Sequence, residues 1–172
     1  MGRIHFMEYQ NKYVIEDIKQ FSVSDEVQLS EYINIISETI CKADLVYLYR
    51  THKHINEENE LIKWTSEFAK KVEHVSIFVE KYGKELKLKS VDGRGVLVLD
   101  INEDIIRESF INKFFICCTD YKHCVSDSLK KLQIITFDPK YDQYDYLFVK
   151  NNKVILWTSI HELMVFISED YI

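Results

Sequence analysis

The segment Tyr144-Asp-Tyr-Leu-Phe-Val-Lys150, followed by Asn151-Asn152 and Lys153-Val-Ile-Leu-Trp157, is typical of two β-strands joined by a two-residue turn. A type I′ turn needs positive φ at both central positions, and asparagine adopts positive φ more readily than most residues. The tyrosines and phenylalanine of the first strand fall on one face and its leucine and valine on the other, so both faces carry apolar side chains. We therefore expect this hairpin to lie in the middle of a sheet.

Composition favours one globular domain that spans residues 1–172. The chain is 47% hydrophobic and has one Pro and four Gly, which leaves no segment that resembles a linker. A chain of this length buries roughly 70% of the surface that it exposes when unfolded, so it needs no metal or disulfide to be stable. No apolar run approaches the roughly 18 residues of a membrane span, and the first residues lack the apolar segment of a signal peptide. We expect a cytoplasmic protein with no membrane association and no cofactor.

Periodicity predicts an α+β fold, with a mostly antiparallel sheet and three to four helices packed on it. Apolar residues at three- and four-residue spacing predict helices after Asp25, Asn56 and Asn102, with Ile105 on the buried side of the third and the stripe of the second continuing through Phe68 to Val72. The capping box Ser159-x-x-Glu162 predicts a short fourth helix through residue 167. Further strands are expected at residues 4–6, 13–15, 45–49, 75–79, 85–89, 96–101 and 132–137.

Residues 75–79 allow two interpretations. The apolar stripe of the second helix could continue through Val75, Val79 and Tyr82, with Gly83 as its C-cap. The run Val-Ser-Ile-Phe-Val is nevertheless rich in β-branched and aromatic residues, which favours a strand after a break near His74. We adopt the strand.

The net charge of −6 disfavours nucleic acid as a ligand, because such binding depends on Lys and Arg replacing the counterions of phosphates. The same charge would accelerate encounters with a basic protein partner, although it can also serve solubility alone. Acidic residues gather at Glu169 and Asp170 beside Tyr171, and among tyrosines in a segment that contains Asp138, Tyr141, Asp142, Tyr144, Asp145 and Tyr146. Tyrosines supply rigid contact area and acids pair with Arg, so these six residues are the predicted partner-binding surface. The alternative is a charged turn whose tyrosines pack on the sheet.

Arg50, His52 and His54 form a polar loop after a predicted buried strand and could bind a phosphate or carboxylate. His52 and His54 could also supply two metal ligands, but two ligands alone do not make a metal site. The alternative to a binding site is a solvated basic loop.

Cys117, Cys118, His123 and Cys124 could serve as zinc ligands or as a nucleophile with its base. Adjacent cysteines do not have the spacing of a zinc site, so we interpret the cysteines as reduced thiols, with Cys117 packed as a small apolar side chain, and we predict no metal.

Glu85-x-Lys87 matches a nuclease motif but is also ordinary on an exposed strand, and Asp100-x-Asn102-x-Asp104 lacks the glycine of a calcium loop.

The sequence therefore predicts an interaction protein, an inhibitor or immunity-type antitoxin that binds and neutralises a basic protein such as a nuclease toxin. The alternative is an enzyme or sensor that binds a nucleotide or phosphate through Arg50, His52 and His54.

Overall fold

The computed structural model of the chain describes residues 12–21, 29–50, 60–89, 95–120, 144–159 and 164–172. These residues form ten β-strands and three α-helices. The helices are α1 (Leu29–Lys42), α2 (Glu60–Phe68) and α3 (Asp104–Asp120), and short 3₁₀ turns lie at Glu80–Tyr82 and Glu169–Tyr171. The strands are β1 (Lys12–Ile15), β2 (Ile18–Phe21), β3 (Leu45–Arg50), β4 (Lys70–Val72), β5 (His74–Val79), β6 (Lys84–Lys89), β7 (Val96–Asp100), β8 (Tyr144–Lys150), β9 (Lys153–Ser159) and β10 (Met164–Ser168).

The hairpin of β8 and β9 is confirmed at the position that the sequence predicts. Asn151 and Asn152 have φ angles of 48° and 65°, as a type I′ turn requires. The Asp44 carboxylate accepts a hydrogen bond from the Asn151 N–H at 3.0 Å and so fixes the turn against the start of β3. β8 pairs with β3 on one side and β9 on the other, and it is buried from Tyr144 to Val149, so the hairpin does lie in the middle of the sheet.

The sheet is mixed, and it forks at β9. One edge of β9 pairs with β8, and the opposite edge is shared, because Leu156 to Ser159 pair with β10 while Lys153 pairs with Val14 of β1. Two arms leave the fork, which we call the first arm (β1, β5 and β6) and the second arm (β10 and β2). On the other side of the hairpin the order is β8, β3, β7 and β4.

Parallel pairing of β1 with both β5 and β9 makes the sheet mixed, so the predicted mostly antiparallel sheet holds only in part. A parallel pair needs a crossover, and the chain supplies one because α1, β3, α2 and β4 all lie between β1 and β5. The predicted turn at Asn151-Asn152 does join the antiparallel pair of β8 and β9, but a local turn says nothing about how distant strands pair.

The sheet is strongly curled, with apolar side chains packed on both faces. The helices cover one face, where Phe110 and Phe114 of α3 pack against Phe148 of β8. On the opposite face the Tyr13 and Tyr47 hydroxyls lie 2.6 Å apart. β1 and β3 are three strands apart, or about 14 Å in a flat sheet, so the 5.5 Å between the centroids of these two rings indicates a curl.

Predictions for the helices hold in part. Tyr32, Ile36 and Ile40 of α1 are buried at the predicted spacing. Ile105 was wrongly placed in the core, because it is 77% exposed in the first turn of α3. α2 ends earlier than its apolar stripe suggests, and its last residue, Phe68, is 53% exposed.

The predicted fourth helix is wrong, because residues 164–168 form β10. Its side chains alternate, with Val165 and Ile167 buried and Phe166 half-buried on the other face. β10 pairs with β9 on one side and β2 on the other, so main-chain pairing on both edges outweighs the helical spacing.

The strand predicted at 75–79 is confirmed as β5, and those at 45–49, 85–89 and 96–101 are confirmed within a residue. The strands at 4–6 and 132–137 and the caps Asp25 and Asn56 lie outside the described residues.

Candidate functional site

The predicted partner-binding residues divide into two groups. Tyr144, Asp145 and Tyr146 belong to β8, and their side chains are buried. Tyr146 packs edge-to-face on Phe114 of α3, with ring centroids 4.9 Å apart. These three side chains therefore support the core, as the alternative interpretation expects of the tyrosines. Asp138, Tyr141 and Asp142 lie outside the described residues, and their contact with a partner stays a prediction.

Asp145 is held by a buried hydrogen-bond network. The Thr158 hydroxyl donates to its Oδ1 at 3.0 Å and accepts the Tyr146 main-chain N–H at 2.9 Å. The main-chain pairing of β8 with β9 ends at Leu147 and Trp157. Beyond that point the Tyr146 N–H finds its acceptor in the Thr158 side chain instead of the main chain. A buried carboxylate is stable only when its oxygens are hydrogen-bonded, and Thr158 meets part of that requirement.

Tyr49 lies opposite Asp145 in the register of β3 and β8, and its hydroxyl accepts a hydrogen bond from Trp157 Nε1 at 2.6 Å. Burial raises the pKa of Tyr49 well above its ordinary value, the negative charge of Asp145 raises it further, and the bond from Trp157 opposes the shift. The phenol is therefore neutral at physiological pH. It acts as a fixed acceptor that holds the Trp157 ring in place.

The other sequence-predicted residues are not brought together by the described structure. Arg50 ends β3 opposite Tyr144, while His52 and His54 lie outside the described residues, so an anion site there stays a prediction. The backbone of Cys117 and Cys118 lies in α3, and His123 and Cys124 also fall outside. Within the part of the chain that is described, no group of three or more His, Cys, Asp or Glu side chains could hold a metal ion.

An open cleft of about 850 Å³ lies at the fork of the sheet, between the two arms. Its walls come from the corner between β1 and β2, from the 3₁₀ turn that joins β5 to β6, and from the turn after β10. The corner is sharp because Asp17 has a φ of 47°, and the Glu169 N–H donates to the Asp17 carbonyl at 2.8 Å. That bond extends the pairing of β10 with β2 by one position and fixes the β1–β2 corner at the mouth of the cleft.

Aromatic and aliphatic side chains line this cleft. The rings of Trp157 and Phe166 are half-buried neighbours on β9 and β10, with centroids 5.8 Å apart. Tyr82 and Leu86 are 66% and 39% exposed, which is high for apolar side chains beside a cavity. The cleft opens on the face of the sheet opposite the helices, because Trp157 packs with Leu147 and Val154 of that face.

Acidic side chains outnumber basic ones around the cleft. Glu16, Asp17, Glu80 and Glu169 line it, against two lysines, Lys81 and Lys84. Glu16 forms an ion pair with Lys153 outside the cleft lining, while the other three acids are exposed. The cleft thus combines an aromatic floor with a negatively charged rim.

Sequence reasoning missed this cleft because its lining comes from four segments that are far apart in the chain. Each segment resembles an ordinary strand end or turn, and no spacing rule connects Asp17 with Glu80 or Glu169. The β-branched and aromatic run Val165-Phe166-Ile167 was a local signal for a strand, which would have placed Phe166 on the face opposite Val165.

Comparisons with protein-family models, with curated proteins and with solved structures find no match for this chain. Among the described residues, no helix combines the length and the apolar character needed to cross a bilayer.

Proposed function

We propose that this chain is a non-enzymatic interaction protein that binds and neutralises a basic protein partner, as an inhibitor or immunity-type protein does for a nuclease toxin. The observation that carries the proposal is the excess of 28 Asp and Glu over 22 Lys and Arg. A surface with this imbalance attracts a positively charged partner over distances of about a Debye length, roughly 8–10 Å at physiological salt.

The placement of the described acids supports the proposal. On the helices, the side chains of Glu31, Glu38, Glu67 and Glu108 are exposed. Exposed charges of this kind contribute little to folding stability, about 0–1 kcal/mol for each pair, but they accelerate association with an oppositely charged protein. The same acids disfavour nucleic acid as a direct ligand, whereas a protein that itself binds nucleic acid would present the complementary surface.

The test uses the tagged 172-residue chain to capture its partner from the lysate of its source cells, followed by association kinetics with the purified partner. We expect a basic partner whose association rate falls at least tenfold between about 0.05 and 0.5 M NaCl, because salt screens the attraction. A partner that is not basic, or an association rate that does not depend on salt, would contradict the proposal.

A second measurement tests the predicted segment. Charge reversal at Asp138 and Asp142 together is expected to slow association, and Asp145 is left unchanged because it is buried. Thermal stabilisation by a nucleotide or phosphate, abolished by Arg50→Ala, would instead favour the small-ligand alternative, with about 2.7 kcal/mol expected at a hundred times the dissociation constant.

A further inference from the structure

We infer that the cleft between the two arms of the sheet is the docking site for an extended basic segment of a protein partner, with an apolar side chain of that segment seated on Trp157 and Phe166. This inference rests on the proposed function, because it names where and how the basic partner is recognised.

The floor of the cleft is suited to an apolar anchor. Trp and Tyr are the residue types that dominate binding energy at protein interfaces, and here Trp157 and Tyr82 face the same cavity. The Trp157 ring is held in place by its hydrogen bond to Tyr49, so little side-chain freedom is lost on binding. A volume of about 850 Å³ falls within the range of roughly 300–1,000 Å³ that is typical of ligand sites. A short peptide segment can therefore enter.

The rim sets the charge of the occupant. Asp17, Glu80 and Glu169 are exposed carboxylates on three different walls, so a bound segment would meet negative charge on several sides. Lys or Arg side chains that flank an apolar anchor could reach these carboxylates while the anchor fills the floor. A second copy of this chain fits poorly, because its own net charge of −6 would approach the acidic rim.

The cleft is also preformed. The hydrogen bond from the Glu169 N–H to the Asp17 carbonyl fixes the β1–β2 corner against the turn after β10, and β1 is tied to the hairpin by the bond from the Val14 N–H to the Asn152 carbonyl at 3.0 Å. A site that is already shaped loses less free energy on binding than one that must be ordered.

The experiment follows the fluorescence of Trp157. The chain contains two tryptophans, so Trp64→Phe on α2 leaves Trp157 as the single reporter. Three nine-residue peptides are titrated: one alternates Lys with Leu, one alternates Glu with Leu, and one alternates Lys with Ser. We expect a saturable change with the Lys and Leu peptide, and at least tenfold weaker binding of the other two, because each lacks either the charge or the anchor.

Two triple variants with equal charge separate the cleft from the overall charge. The rim variant removes the three negative charges of the rim and consists of Asp17→Asn, Glu80→Gln and Glu169→Gln. Asparagine tolerates the positive φ at position 17. Glu31→Gln with Glu38→Gln and Glu108→Gln removes three exposed acids from helices α1 and α3. The rim variant is expected to raise the dissociation constant of the Lys and Leu peptide about tenfold, and the helix variant less than threefold.

The inference is overturned if the Lys and Leu peptide gives no saturable change, if the Glu and Leu peptide binds as tightly, or if both triple variants weaken binding equally. The proposed function fails separately, when the tagged chain captures no basic partner. If a basic partner is captured and the rim variant binds it as well as the unmodified chain does, the function stands and the cleft is not its site.

Discussion

Thr158→Val should destabilise the fold far more than the small change in shape suggests. Thr158 is fully buried, and its hydroxyl both donates to Asp145 Oδ1 and accepts the N–H of Tyr146. Valine has nearly the same shape, so the variant removes two hydrogen bonds without opening a cavity.

The size of the effect follows from these two bonds. A hydrogen bond to a charged group contributes about 1.5–3 kcal/mol, and a buried N–H that loses its acceptor costs about 1–3 kcal/mol. The two bonds share one hydroxyl, so their losses do not add fully, and we expect about 3 kcal/mol. For a domain of this size each kcal/mol lowers the melting temperature by about 2–4 °C, which gives a decrease of about 6–12 °C.

Urea unfolding monitored by circular dichroism, with thermal unfolding as a second measure, gives the change in the free energy of unfolding. Thr158→Ser is the matched control, because it keeps the hydroxyl and loses one methyl group, at a cost of about 1 kcal/mol. If the valine variant is as stable as the unmodified chain, or more stable than the serine variant, the account of the Asp145 network is wrong.

Three further predictions concern other parts of the described structure. Asn152→Ala should cost about 1 kcal/mol because alanine is strained at a φ of 65°, whereas Asn152→Gly should be neutral or stabilising; urea midpoints distinguish them. Phe114→Ala should cost about 3–5 kcal/mol because the ring is buried, and Phe68→Ala, its exposed counterpart on α2, less than 1 kcal/mol, measured by urea unfolding. Because the pKa of Tyr49 is raised in the folded state, its contribution to stability is complete below pH 10 and is lost as the pH rises further, when the unfolded chain ionises first. Unfolding free energies measured from pH 8 to pH 11 should therefore fall less steeply in Tyr49→Phe than in the unmodified chain.

Local patterns predicted the elements whose own residues fix their conformation. Asn151-Asn152 specifies its turn, and the spacing of Tyr32, Ile36 and Ile40 specifies the buried face of α1. Residues 164–168 differ, because Leu163, Met164 and Ile167 have helical spacing while the chain uses Val165 and Ile167 to pair with β9 and β2. Local preference is weak when a strand gains hydrogen bonds on both edges, and no local pattern reveals distant partners.

The candidate site was harder to predict than the fold, for a related reason. A hairpin in the middle of a sheet is buried, so Asp145 and the two tyrosines of β8 could have been assigned to the interior from the apolar character of both faces. The charge of Asp145 instead suggested a surface, because buried carboxylates are rare without a partner such as the Thr158 hydroxyl. The cleft depends on the parallel pairing of β1 and on the fork at β9, neither of which leaves a periodic signal.

The fork at β9 also governs how the newly made polypeptide can acquire its structure on the ribosome. Among the described strands β2 pairs with β10, and Phe21 lies opposite Val165, so β2 leaves the exit tunnel long before its partner is translated. At about 5–20 residues per second this wait lasts on the order of ten seconds, during which the main-chain groups of Ile18–Phe21 have only water or a chaperone to bind. Pairing across so much intervening sequence is also slow in itself. Polypeptides that stop before residue 164 lack the strand that pairs with β2, so they should be targets for proteolytic quality control.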